Sequence, residues 1–210
     1  MIHGIINVYK EKGFTSHDVV AKLRGIVGQK KIGHTGTLDP DATGVLPVCL
    51  GKATKLCDLL TDKNKTYEAV LLLGKTTDTQ DITGEVLEEK STEALTEEKV
   101  REAIEGFIGD YEQIPPMYSA LKVNGKKLYE LAREGKVIER KARPVKILDI
   151  QILEIDLPKV RMEVSCSKGT YIRTLCHDIG EKLGCGGCME SLIRTRVSTF
   201  RIEDAKMLDE

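Results

Sequence analysis

The segment Gly33-His34-Thr35-Gly36-Thr37-Leu38-Asp39-Pro40-Asp41-Ala42-Thr43-Gly44 gathers glycine, hydroxyl, imidazole and carboxylate groups into one short run. Asp39 precedes a proline, whose ring clashes with a helical residue before it, so the carboxylate sits on a stiffened, extended backbone. A group held still in this way can act as a nucleophile or a charge stabiliser. Gly33, Gly36 and Gly44 permit backbone angles and close approaches that a side chain would block. An ordinary Gly-rich turn uses the same residues. The loop by itself therefore supports an aspartate nucleophile without naming a reaction.

Such a carboxylate needs a folded body to hold it. At 210 residues, 40% hydrophobic and 31% charged, the chain can bury a core in one large domain or two closely joined lobes. No apolar run is long enough to span a bilayer. Met1 to Lys12 lacks the basic-then-apolar layout of a secretory signal, so a cytoplasmic protein without membrane contact is expected. Six cysteines in a reducing compartment read as free thiols in or near the core. Cys185-Gly-Gly-Cys188 has only Cys176 and His177 as company, adjacent in sequence and so on different faces of one helix. That is a poor zinc set, and no metal is expected.

The net charge of -1 hides a division. Between Lys122 and Lys146 nine cations stand against three anions, whereas between Glu85 and Glu112 ten anions stand against three cations. A basic block in a near-neutral chain fits a phosphate-bearing partner that touches one face, with the acidic stretch turned away.

The elements follow from spacing. Ser16 reads as the N-cap of a helix using Val19, Val20, Leu23, Ile26 and Val27 and stopping at Gly28. A short helix is predicted over 53–60 and a buried strand over 67–73. Thr96 opens an amphipathic helix through Val100, Ile104 and Phe107. The prolines of Ile114-Pro115-Pro116 rule out regular structure there, and Asn124-Gly125 signals a tight turn before a short helix over 128–133. Strands are predicted over 145–155 and 160–166, a helix over 170–183 capped by Gly184, and a strand-like stretch over 197–202. Strands and helices mix without a βαβ rhythm, so the expected fold is α+β with a mixed, mainly antiparallel sheet flanked by helices.

Read together, five blocks resemble TruB-type tRNA pseudouridine synthases. They are Gly33 to Gly44 with Gly51-Lys52-Ala53-Thr54-Lys55; Lys65-Thr66-Tyr67; Ile114-Pro115-Pro116-Met117-Tyr118-Ser119-Ala120; Lys168-Gly169-Thr170-Tyr171-Ile172-Arg173; and Leu192-Ile193-Arg194-Thr195-Arg196. They stand in the family's order across nearly the whole chain. The resemblance implies a pseudouridine synthase sheet with a thumb-like insert over 114–143. It implies conversion of uridine 55 in the tRNA T loop to pseudouridine without a guide RNA, cofactor or metal. It also implies a monomer whose partner is the T stem–loop, with no obligate protein partner.

The same resemblance distributes roles. Asp39 is the catalytic carboxylate, with attack at ribose C1′ or at uracil C6 both open to it. Arg173 pairs with Asp39 and orients it, Tyr67 stacks on the target base, Tyr171 lines the pocket, Leu192 forms its apolar wall, and His34 helps to extract the base. Lys122, Lys126, Lys127, Arg133, Arg140, Lys141 and Arg143 contact phosphates from the insert, and Lys10 does so from an N-terminal loop. Two departures stand out. The family's Asp-Lys-Pro is Tyr9-Lys10-Glu11 here, and the resemblance leads to the expectation that the usual smaller C-terminal RNA-binding domain is not among these 210 residues. A guide-RNA-dependent catalytic subunit, or an RNA-binding module without catalysis, would share parts of the pattern. A nucleotide-phosphate loop would not, because there is no Gly-Lys-Ser/Thr ending and Asp39 would repel the phosphate.

Overall fold

The computed structural model describes all 210 residues. In chain order the first elements are β1 (Gly4–Lys10), α1 (Ser16–Val27), β2 (Ile32–His34), β3 (Thr43–Leu50), a 3-10 helix over Gly51–Leu56, α2 (Cys57–Thr61) and β4 (Lys65–Leu73). Next come β5 (Lys75–Thr77), β6 (Val86–Glu89), α3 (Glu97–Glu105), β7 (Gly109–Gln113), β8 (Lys122–Val123), β9 (Lys126–Lys127) and α4 (Leu128–Arg133). The last are β10 (Arg143–Asp156), β11 (Lys159–Cys166), α5 (Ile172–Leu183), β12 (Gly187–Val197) and β13 (Phe200–Arg201). The fold is α+β with a mixed, mainly antiparallel sheet, as the spacing predicts. No helix is long and apolar enough to cross a membrane.

The chain divides into two compact units. The first comprises 1–68, 163–168 and 191–210, and its strands run in the order β1-β3-β12-β4-β11, with β2 added beside β3 and β13 beside β12. β1 and β3 pair antiparallel from Gly4↔Leu50 to Lys10↔Gly44. β3 and β12 pair parallel at Ile193↔Thr43 and Arg194↔Gly44. Helix α1 buries Val19, Val20 and Leu23 against Val8, Ile32, Leu46, Val48 and Leu50, at about 1.5–3 kcal/mol for each fully buried side chain. The residue that caps α1 is Thr15, not Ser16: its hydroxyl accepts from the Asp18 amide at 3.0 Å, and its amide donates to the Asp18 carboxylate at 2.8 Å. Ser16 is freed from capping and faces inward.

The second unit comprises 69–162 and 169–190. Its strand order is β12-β4-β11-β10-β7, with α3 and α5 packed together and the separate hairpins β5-β6 and β8-β9. Thr96 caps α3 as expected, but the helix ends at Glu105, so Phe107 lies beyond it and packs edge-on to Tyr111. β7 ends at Gln113, directly opposite Arg143 where β10 begins. Residues 114–142 are therefore an excursion that leaves and rejoins the sheet at one rung. Asn124 (φ 51°) and Gly125 (φ 83°) make its hairpin turn, both left-handed, as a two-residue I′ turn requires. The excursion has a small core of its own in Met117, Leu128 and Leu131. All six cysteines are unbonded, and only Cys57 is not fully buried.

Candidate active site

Asp39 lies in the connection between β2 and β3, exposed between the buried Leu38 and Ala42. Four anchors in the first unit hold this connection. The Ser16 hydroxyl accepts from the Leu38 amide at 2.9 Å and donates to the Leu38 carbonyl at 3.4 Å. Lys10 Nζ donates to the carbonyls of Phe14 (2.6 Å), Glu11 (3.1 Å) and Pro40 (3.2 Å). Arg194 donates from Nε to the Val45 carbonyl at 2.8 Å and from Nη2 to the Gly36 carbonyl at 3.3 Å. The Thr35 hydroxyl and amide both donate to the Pro47 carbonyl. The catalytic candidate is thus an exposed carboxylate whose neighbours on either side are bolted down.

The strand register explains where the cations come from. Lys10, Gly44 and Arg194 occupy one rung across β1, β3 and β12, and rung partners share a face of the sheet. Gly44, having no side chain, leaves room for the two long cations beside it. Lys10 is 0% exposed and Arg194 1%. A buried cation is tolerated only when its donors are met, and here carbonyls of the 11–14 turn, of β3 and of the Asp39 loop meet them. Lys10 is therefore not the RNA-facing lysine expected from sequence. With Glu11 in place of proline, the 11–14 turn closes through the Phe14 amide and Lys10 Nζ, both bonded to the Glu11 carbonyl.

Burial lowers the Lys10 ammonium to about 8, against the pull of Asp39 and Asp41. Lys65, buried beneath Arg194 and bonded to the Thr61 carbonyl, is likewise lowered to about 8 by burial and then by Arg194. Burial raises the Tyr67 phenol, which stays neutral, is hydrogen-bonded by Arg194 and lies within the field of Asp39. Burial lowers the half-buried His34, favouring its neutral imidazole. Leu192 precedes the Ile193↔Thr43 rung on β12 and is half-buried. The structure therefore brings His34, Asp39, Tyr67 and Leu192 into the first unit.

A pH profile tests the Lys10 assignment. Raising pH through about 8 removes the Lys10 proton, and with it a positive charge beside Asp39 and one of the donors that hold Pro40. Wild-type turnover is expected to fall above that pH. Lys10→Met should lower turnover about tenfold and flatten the alkaline limb. Should the limb persist in the Met variant, it belongs to Lys65, which titrates in the same range.

Tyr171 and Arg173 lie in the second unit. Gln113, 1% exposed, bonds both backbone groups of Tyr171, accepting from its amide at 2.8 Å and donating to its carbonyl at 2.9 Å. Arg173 opens α5, donating from Nη1 to the Thr79 carbonyl (3.1 Å) and from Nη2 to the Tyr118 carbonyl (2.8 Å). The turn bearing Thr79 is tied by Asp81, whose Oδ1 accepts from the hydroxyls of Thr79 and Thr83 and from the Thr83 amide. In the insert, Lys122, Lys126, Arg133, Lys141 and Arg143 are exposed. Tyr129 has Lys127 and Arg133 within 5.3 Å and 5.0 Å of its ring centre. Arg140 departs from expectation: it is half-buried, and its Nη1 bonds the Pro115 carbonyl at 3.2 Å, tying the two ends of the insert together.

Sequence reasoning missed Ser16, Arg194, Gln113 and Asp81 as supports. Arg194 lies in the last of the five family blocks, where the resemblance attaches no role to it, and Ser16 reads as the helix cap. Nothing in the local sequence of Gln113 distinguishes it from any other polar residue at a strand end.

The fold is similar to chains of known structure. A chain in a crystal structure of a Cbf5–Nop10–Gar1 complex matches with a TM-score of 0.77 and 36% identity, over 98% of this chain and 52% of that one. A chain in an H/ACA ribonucleoprotein bound to a substrate RNA containing 2′-deoxyuridine matches with a TM-score of 0.74 and 32% identity, over 98% of this chain and 51% of that one. The chain thus spans about half the length of these structural relatives. Residues 24–172 match the N-terminal domain of the TruB family pseudouridylate synthases, and 173–210 match the tRNA pseudouridylate synthase B C-terminal domain. The chain is 67% identical to tRNA pseudouridine synthase B of Lachnoclostridium phytofermentans and 55% identical to that of Alkaliphilus oremlandii, in each case over its whole length and 70% of the relative's. The chain belongs to the TruB family and is an isomerase of the pseudouridine synthase class.

Proposed function

We propose that this chain converts uridine 55 in the tRNA T loop to pseudouridine, acting as a monomer and without a guide RNA. The observation that carries the reading is the exposed Asp39 carboxylate on a loop pinned by Lys10, Ser16 and Arg194, with the neutral Tyr67 phenol close by. The reaction breaks the N1–C1′ bond, turns the detached uracil and forms a C5–C1′ bond. The C5 proton is lost and N1 gains one, so no net oxidation occurs. Asp39 serves by adding to C1′ or C6, or by balancing charge at an oxocarbenium-like centre.

The remaining roles are given unit by unit. In the first unit Tyr67 stacks on the base, Leu192 supplies an apolar wall and His34 takes part in drawing the uridine out of the loop. In the second, Tyr171 contacts the substrate and Arg173 orients a carboxylate, supported by its anchoring to two backbone carbonyls, which leaves its guanidinium little freedom to swing. The exposed cations of the insert contact tRNA phosphates and give affinity without reading sequence. Relatives named tRNA pseudouridine synthase B, at 67% and 55% identity, support the tRNA substrate.

A guide-dependent activity is the second reading, favoured by the likeness to a chain of an H/ACA ribonucleoprotein bound to a substrate RNA. One assay separates the two. Incubated with an unmodified tRNA transcript and nothing else, the purified chain is expected to form a single pseudouridine at position 55. Modification only on addition of a guide RNA supports the second reading, and no modification under either condition overturns both.

A further inference from the structure

Apart from the Asp39 loop, the first unit bears an open concave feature. Helix α1, the stretch from Lys30 to His34 and the segment around Thr54 and Cys57 surround a cavity of about 540 Å³. Its lining includes Arg24, Lys30, Lys31, His17 and His34, and contains no carboxylate. In a chain whose net charge is -1, three cations and two imidazoles around one cavity are a local concentration.

None of the three cations is neutralised. Arg24 Nε donates to the Lys30 carbonyl at 3.0 Å, which fixes the guanidinium plane, and its Nη atoms carry four further N–H donors. No ion pair engages Arg24, Lys30 or Lys31. Within the same wall, His34 Nδ1 is buried without a hydrogen-bond partner. Like charges gathered at one place repel, and an anion bound among them removes that repulsion while filling the donors. The volume exceeds what a bare phosphate needs and is of the size that holds a small organic group.

His34 ties this cavity to the chemistry. It forms part of the cavity wall and ends β2, the strand from which the Asp39 connection departs. Resting on the RNA-substrate reading above, we propose that this cavity is an RNA subsite. Arg24, Lys30 and Lys31 there grip a backbone phosphodiester of the strand that presents the target uridine. Arg24 supplies the planar fork and the two lysines supply point charges. The cations of the insert, in the second unit, are a separate set.

The test is binding of a T stem–loop RNA series in which one phosphate at a time is neutralised as a methylphosphonate. Against wild type, one position should weaken binding about tenfold. Lys30→Gln/Lys31→Gln should bind the unsubstituted RNA several-fold more weakly and lose clearly less than wild type at that same position, the non-additivity of partners in one contact, with Arg24 retaining its share. The slope of log affinity against log salt should shrink by about 0.7–0.9, for the one phosphate no longer neutralised. Both lysines are exposed, so the pair variant should melt with wild type. Should Arg24→Gln fail to fold, the lysine pair alone carries the test.

The proposal is overturned if every methylphosphonate costs the variant as much as wild type, or if its salt slope is unchanged. It is also overturned if inorganic phosphate titrates the His34 ring resonances while no RNA phosphate couples to the lysines; the cavity then belongs to a free small anion. Pseudouridine formation is not the readout. An RNA that shows the coupling yet is never modified sinks the proposed reaction and leaves the subsite standing.

Discussion

Asp39→Asn is expected to abolish pseudouridine formation, by at least about a thousandfold in turnover, while a T stem–loop RNA still binds within a few fold. The substitution keeps shape and hydrogen-bonding capacity and removes one charge. Because Asp39 is exposed and its loop is held through Leu38, Pro40 and Gly36, none of which the change touches, the variant should melt with wild type. The consequence therefore falls on chemistry and not on folding. An amide can neither add to C1′ or C6 nor balance a cationic centre. Turnover by the Asn variant at a rate comparable with wild type would remove Asp39 from the mechanism and leave the pinned loop as a structural feature only.

The second large effect is structural. Gly44 has φ of +108°, a region that side chains rarely adopt, and a Cβ there would fall on the Arg194 carbonyl and 2.9 Å from the Arg194 amide nitrogen. Both obstacles are backbone of the neighbouring strand and cannot rotate away. Gly44→Ala is expected to cost about 3 kcal/mol or more, lowering the midpoint of thermal unfolding by roughly 6–12 °C for a chain of this size. The damage should reach the active site as well. Separating β3 from β12 moves Arg194 away from the Val45 and Gly36 carbonyls, and spoils the rung that seats Lys10. Turnover should fall even at temperatures where the variant remains folded. A melting curve within a degree of wild type would show that the β3–β12 pairing yields at this point, and the rung would lose its claim to hold the loop.

Local pattern made much of the fold legible. The spacing of Val19, Val20 and Leu23 marks α1, the alternation from Val160 to Cys166 marks β11, and Asn124-Gly125 marks the insert's hairpin, since each depends on near neighbours. The elements misread were those whose form depends on distant contacts. The predicted helix over 53–60 is a 3-10 segment over Gly51–Leu56 followed by α2. The strand-like 197–202 is the end of β12 and the two-residue β13. β12 itself needs partners on both sides to exist as a strand from Gly187 to Val197.

The site divides along the same line. A carboxylate before a proline among glycines is legible along the chain, and the ordered blocks around Tyr67, Tyr171, Arg173 and Leu192 tie it to one family. The sequence by itself does not tell which lysine is solvent-facing, because burial is a property of the fold and not of the residue type. Lys10 reads as a surface cation and is the loop's buried anchor; Ser16 reads as a cap and holds Leu38; Arg140 reads as a phosphate contact and braces the insert. Those assignments rest on bonds such as Ser16 to Leu38 and Arg194 to Gly36, which join residues far apart in the chain. Only the pairing of β1, β3 and β12 brings Lys10, Gly44 and Arg194 onto one rung. The low-dielectric interior then requires each buried donor to find a carbonyl, and the loop carrying Asp39 supplies those of Gly36 and Pro40.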